Sequence, residues 1–225
     1  MSRFGDQLVD DGDAVDNIQK SYDTVARAYA DEIYAELKDK AFDRELLDRF
    51  AERVRERGRV CDVGCGPAQI ARYLRDRGVD ALGLDLSAGM LAEARRLNPD
   101  LLFVQTSMLA LGLGSQTLGG IAAFYCIIHL PREQVVTALA EMRRVLRPGG
   151  CLLLTFHLGT ADSHHEELFG RPVSLDVALF TTAEMVGYLG GAGFSVEEAL
   201  ERDPYAPEVE YQSRRGYIVA SRPAE

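Results

Sequence analysis

Five short apolar runs, most of them parted by stretches with helical spacing, limit this chain to very few folds. The runs are Arg59–Val63, Asp80–Leu86 (DALGLDL), Leu101–Thr106 (LLFVQT), Ile121–Ile128 (IAAFYCII) and Cys151–His157 (CLLLTFH). Between them lie helix-like segments at Pro67–Arg77, at Ser87–Leu97 with Ser87 as its N-cap, and at Arg132–Leu146, which stops at RPGG. Strands that alternate with helices join through crossovers, and crossovers make neighbouring strands parallel and cover both faces of the sheet. The expected fold is therefore α/β, a doubly wound, mostly parallel sheet with helices on both faces. Further on come a polar, His-containing loop, a helix near Thr181–Ala192, and two strand-like stretches, FSVEEAL and RRGYIVASR. The last two are joined without a helix, so one of them is expected to run antiparallel. Two helical runs, Asn17–Leu37 and about Ala41–Arg57, precede the first strand.

No linker divides the chain. Residues 1–16 are acidic and expected to be loose, and residues 17–225 form one domain. Within it, 17–57 is a helical N-terminal part, 58–157 the ligand-binding half, and 158–225 a substrate-side loop, helix and hairpin. A chain of 225 residues with 47% apolar content supports one well-buried core, and no apolar span reaches membrane length. The start lacks a basic region followed by an apolar one, so no targeting signal is read and the expected location is cytoplasmic. A net charge of −10 argues against nucleic acid and anionic membranes as partners. The four cysteines, Cys61, Cys65, Cys126 and Cys151, have no paired metal-ligand spacing; they read as buried thiols, and no metal is expected.

In an open parallel sheet, ligands bind at the carboxyl ends of the strands. The first strand here ends in Gly64-Cys65-Gly66-Pro67, a turn that exposes bare backbone beside the positive end of a new helix. The second ends in Asp85, about twenty residues on, where a carboxylate can accept from both hydroxyls of a ribose. The third ends in Thr106-Ser107-Met108, the fourth in Tyr125–Ile128 with His129 beyond, and the fifth in His157. Gln69 occupies the third glycine position of a dinucleotide turn, and no P-loop lysine follows, so pyrophosphate and triphosphate ligands fit poorly. Asp62, in the first strand, suits a cationic ligand; it would otherwise simply cap neighbouring backbone amides.

The segments VCDVGCGPAQ, GLDLSAGMLAEAR, IIHLP and MRRVLRPGGCLLLTFH together resemble the class I S-adenosylmethionine-dependent methyltransferases of the small-molecule type, from about Asn17 to the C-terminus. The resemblance implies a seven-stranded sheet ending in an antiparallel hairpin, S-adenosyl-L-methionine as cofactor, and S-adenosyl-L-homocysteine as product. It implies that Gly64 and Gly66, with Cys65 between them, approach the methionine moiety and that Asp85 holds the ribose. Leu86 and Met90 would line the adenine, whose edge meets Ser107 and the backbone of Met108. Residues from Tyr125 would close over the cofactor near the sulfur. YDTVARAY is similar to the family's N-terminal lid, so Tyr22 and Tyr29 are expected to touch the cofactor.

Three departures matter. Ala68 stands where the family usually has glycine, Ser107 where an acid is common, and LGGI begins the fourth strand without a carboxylate. The last counts against amide-nitrogen methylation through an acidic tetrad. For a hydroxyl acceptor a base must take the proton, and the four histidines are His129, His157, His164 and His165. His129 and His157 are the catalytic candidates; His164 and His165 lie in a plausible substrate cover. Phe169, Leu175, Leu179, Phe180 and Tyr188 could line an acceptor pocket or belong to the core, and Arg171, Arg214 and Arg215 could bind an anionic acceptor. The expected activity is methyl transfer to an O- or N-nucleophile of a small molecule, such as a bacterial secondary metabolite, by a monomer or homodimer. Two readings stand beside it: an NAD(P)-dependent oxidoreductase, and a non-catalytic cofactor-binding partner subunit.

Overall fold

A computed structural model describes residues 11–224 of the chain. Seven strands form one sheet: β1 (Val60–Val63), β2 (Ala81–Asp85), β3 (Leu102–Gln105), β4 (Leu118–Phe124), β5 (Leu146–His157), β8 (Ser195–Arg202) and β9 (Arg215–Ser221), in the order β3-β2-β1-β4-β5-β9-β8. β9 inserts between β5 and β8 and runs antiparallel to both, as the short connection before it requires. The strand order reverses between β1 and β4, and this switch point is where α/β sheets bind ligands.

Alternate residues of each strand feed two cores. Leu152, Leu154 and Phe156 pack with Ile121 and Ala123 beneath α5 (Arg132–Val145) and α6 (Thr182–Gly191). Cys151, Leu153 and Tyr217 face the other way, under Phe50 and Val54 of α2 (Ala41–Val54) and Ile70 and Leu74 of α3 (Gln69–Arg75). Helix ends follow their side chains. The Ser87 hydroxyl accepts from Met90 N–H to start α4 (Ala88–Leu97), and Thr181 and Glu184 form a reciprocal capping box on α6. Ala68 sits at φ +70, in the left-handed region, so the family's usual glycine there relieves a strain that this chain retains.

Two expectations need correction. The segment expected to be loose, 1–16, overlaps the start of α1, which runs from Asp11 to Ile33, and its residues 1–10 lie outside the described residues. The polar segment after β5 is a β-hairpin instead of a loop: β6 (Ser163–Leu168) pairs with β7 (Arg171–Val177), and Phe169 and Gly170 both take positive φ at its tip. α1 and this hairpin lie over the carboxyl ends of the strands as a roof. Ser21 joins them, its hydroxyl donating to Ser174 O and accepting from Ser174 N–H. On its other side α1 is latched by Asp23, whose Oδ1 accepts from Ser87 Oγ at 2.6 Å and from Gly89 N–H at 2.8 Å. Among the described residues no helix is long and apolar enough to cross a membrane.

Candidate active site

Two cavities open beneath this roof and meet at the glycine turn. The first, about 100 Å³, is lined by Asp85, Leu86, Met90, Ser107, Met108 and Leu111. The second, about 550 Å³, runs from Asp62, Cys65 and Gln69 to His157 and Arg215. Tyr22, Tyr29, Gly64, Gly66, Phe124, Tyr125 and His129 line both and so mark the junction. Every cofactor-site residue expected from the sequence borders one cavity or the other.

Asp85 is gripped from two sides: Oδ2 accepts from Gly66 N–H and Oδ1 from Ser87 N–H, each at 2.8 Å. Burial nevertheless raises its pKa, so the carboxylate gains from further donors such as a pair of hydroxyls. Gly64 has φ +66, and a Cβ there would lie 2.3 Å from Cys126 Cβ. At Gly66 (φ +51) the nearest atom to an added Cβ is Tyr29 Cε1, at 3.8 Å, so the backbone is bare toward the cavity. Asp62 accepts from Ala71 N–H at 3.0 Å, which is the amide-capping role, and also borders the second cavity. Burial pushes its carboxyl up to about 7. The thiol of Cys65 is buried, donates to Gly66 O, and is held well above its ordinary pKa by burial, which makes it a poor nucleophile. Among the described residues no cluster of groups could hold a metal.

Tyr125, directly after β4, adopts φ +50, a conformation that costs a residue with a side chain about 1–3 kcal/mol. Its N–H bonds to Thr155, and its ring stacks on His157 at 5.0 Å. The tautomers of both candidate imidazoles follow from their partners. His129 Nδ1 lies 3.0 Å from Asp176 O, a pure acceptor, so Nδ1 carries the proton. Burial lowers the pKa of the ring, so it is neutral and Nε2 accepts from the Tyr22 hydroxyl at 2.6 Å. His157 is reversed. Its Nδ1 accepts from Arg215 Nη1 at 2.8 Å, with Ser213 Oγ 2.6 Å away, which leaves the proton on Nε2. Burial, reinforced by the Arg215 charge, pushes its pKa down to about 3. The structure thus assigns His157 a hydrogen-bond donor's position, in contrast to the proton acceptor expected from sequence.

The remaining candidates separate clearly. Leu175, Leu179 and His165 border the second cavity. His164 is an exposed partner of Asp176. Phe180 is fully buried core with Tyr188 against it, and Phe169 sits at the hairpin tip against Tyr29. Arg214 pairs with Glu201 and Asp203 on the surface, and Arg171 is exposed on β7. Of the polar floor of the second cavity, sequence reasoning named Arg215 alone. There Glu210 is gripped by Arg202 and lies 3.6 Å from both Lys40 and Arg215, while Lys40 also pairs with Glu36 at 2.5 Å. Its members span residues 36–215, and no local spacing signals them.

A strand–glycine turn–helix with an acid closing the second strand, on a sheet with one antiparallel insertion, defines a nucleoside-binding methyltransferase fold. Residues 60–150 match the model of the family described as methyltransferase domain. The chain is 41% identical over 121 residues to malonyl-[acyl-carrier protein] O-methyltransferase of Enterobacter lignolyticus, covering 49% of this chain and 46% of that one. It is 31% identical over 151 residues to demethylmenaquinone methyltransferase of Beutenbergia cavernae, covering 66% and 61%. It therefore spans less than two thirds of either relative. Among solved structures, the DhpI–S-adenosylhomocysteine complex superposes with a TM-score of 0.71 at 20% identity, covering 94% of this chain and 98% of that one. Residues 60–150 therefore belong to the methyltransferase-domain family, and the chain as a whole is similar to the S-adenosylmethionine-dependent methyltransferases.

The residues present fit the family's cofactor. Asp85 offers acceptor capacity to a ribose, and Leu86, Met90, Met108 and Leu111 offer an apolar slot to a base. Gly66 leaves room against bare backbone. Gln69 Oε1 is buried without a partner among the described residues while Nε2 donates to Glu36, so an ammonium at this end of the cleft would satisfy it.

Proposed function

We propose that the chain transfers a methyl group from S-adenosyl-L-methionine to a small-molecule acceptor. The observation that carries this reading is the shared wall: a small cavity beside Asp85 and a larger, mixed-polarity cavity meet at Gly64, Gly66, Tyr125 and His129. The bound cofactor supplies an already activated sulfonium methyl. The protein's part is then to align an attacking atom with that methyl and to exclude water. Asp85 and the Leu86–Met90 slot would fix the nucleoside, Gly64 and Gly66 the amino-acid end, and Asp62 would balance positive charge. Ser107, whose hydroxyl already accepts from Leu109 N–H, would meet the adenine edge beside Met108. Tyr22 and Tyr29 would close the junction from above, and Tyr125 would separate donor from acceptor. Relatives whose names specify malonyl-[acyl-carrier protein] and demethylmenaquinone as acceptors support a small-molecule target.

Thermal unfolding with saturating S-adenosylhomocysteine, and separately with NADH, tests the reading. A ligand at about 100 times its Kd stabilises the fold by roughly 2.7 kcal/mol. A shift with S-adenosylhomocysteine alone supports it. A shift with NADH alone replaces it with the oxidoreductase reading.

A further inference from the structure

The junction of the two cavities offers the acceptor no free imidazole lone pair. Of the three imidazoles that border the second cavity, only His129 stands at the junction, and its lone-pair nitrogen is filled by the Tyr22 hydroxyl. His157 has its lone pair turned away, onto Arg215. His165 borders only the outer cavity and bonds Ser163 through Nε2. Among the bordering carboxylates Glu36 is engaged by Lys40 and Gln69, Glu210 by Arg202 and Asp162 by Arg132, while Asp62, buried in β1, accepts Ala71 N–H on Oδ2 alone. The Tyr125 hydroxyl is paired with that of Tyr217. An alcohol or an ammonium bound here would have to shed its proton to a group already paired or to the buried Asp62.

One hydrogen-bond donor does face the acceptor. His157 Nε2–H has no partner among the described residues, and its ring is clamped between Tyr125 and Tyr211. Behind it the buried Arg215 guanidinium donates into Nδ1, which polarises the ring and strengthens the donor on the far side. Across the polar floor Lys40, Arg202 and Arg215 match Glu36, Asp43 and Glu210 in number, and of the two further bordering carboxylates Asp162 is paired with Arg132 and Asp62 is buried in β1. The apolar wall of Ile128, Leu168, Leu175, Val177 and Leu179 suits a hydrocarbon body.

Resting on the methyl-transfer reading, we propose that the acceptor is a carboxylate with an apolar body, held through one oxygen by His157 Nε2–H and methylated without a general base. A lone pair of the second carboxylate oxygen forms the new O–CH₃ bond as the CH₃–S⁺ bond breaks. The bonding pair returns to sulfur, no proton moves, and the products are a methyl ester and S-adenosylhomocysteine.

The test supplies the full-length protein with S-adenosylmethionine and matched acceptors: octanoate, octanol and octylamine, then phenylbutanoate, phenylbutanol and phenylbutylamine. Methyl ester formation and S-adenosylhomocysteine release are measured. The acids are expected to react at least about 10-fold faster than their alcohols or amines, and H157F to raise KM for the acid by about 10-fold or more. H157Q, which keeps a donor at the same depth, should recover part of the loss. Both variants should keep the wild-type Kd for S-adenosylhomocysteine, which shows that they fold. Alcohol or amine turnover equal to that of the acid overturns the proposal, as does an unchanged KM in H157F. Inert acids with a protein that binds S-adenosylhomocysteine overturn the carboxylate proposal alone; failure to bind S-adenosylhomocysteine overturns the methyl-transfer reading beneath it.

Discussion

The Tyr22 hydroxyl lies 2.6 Å from His129 Nε2, tying α1 to the short 3₁₀ turn Ile127–His129 that follows β4. This bond joins roof to floor at the junction of the two cavities, and Tyr22→Phe removes it alone. The ring and its edge contacts with Tyr29 and His129 survive. Loss of one buried hydrogen bond costs about 1–2 kcal/mol. The expected result is a lower melting temperature and a several-fold weaker Kd for S-adenosylhomocysteine by calorimetry.

Asp85→Asn keeps the shape of the carboxylate but halves its acceptor capacity while Gly66 and Ser87 N–H still call on it. Binding of S-adenosylhomocysteine should weaken by about 10-fold or more, whereas the stability of the unliganded protein changes little or rises, because a buried charge is removed. Titration calorimetry and melting of the same sample separate the two effects.

Gly64→Ala and Gly66→Ala should fail in different ways. At Gly64 the new methyl collides with Cys126 at 2.3 Å in a left-handed backbone, so the protein itself is expected to lose several kcal/mol, on the order of 2–4. At Gly66 the methyl enters open cleft, so only the backbone strain of about 1 kcal/mol reaches stability. Its larger effect falls on S-adenosylhomocysteine affinity. Melting curves with and without ligand distinguish the pair.

Asp62 carries a pH dependence of stability. Its folded-state pKa, about 7, exceeds the ordinary value of 3.8, so the folded protein binds the extra proton. The resulting stabilisation is complete below about pH 4 and is lost as pH rises through 7. Asp62→Asn should therefore melt higher than wild type at pH 8, by up to about 4 kcal/mol in free energy, and alike at pH 4. Equal melting at both values would remove the buried charge from the account.

The periodicities of β1 to β5 made the sheet legible, because each signal is local, and the acid at the end of β2 lies on the first cavity. The antiparallel β9 was legible because no helical run stands between it and β8 to form a crossover. The β6–β7 hairpin was not: β6 is polar and largely exposed, and although β7 alternates at Val173, Leu175 and Val177, five residues beside an unpatterned partner give little signal. Its turn at Phe169-Gly170 needs left-handed φ at two positions, only one of which is glycine. The tautomers of His129 and His157 were equally hidden. They depend on Asp176 O and Arg215, which lie 47 and 58 positions away.

Through Ser21 and Ser174 the two halves of the roof are stitched together, although they lie 153 positions apart in the chain. α1 borders the first cavity and the hairpin the second, so the two covers are expected to move as one piece; in the proposed reaction, methylated product and spent cofactor would then leave by a shared door.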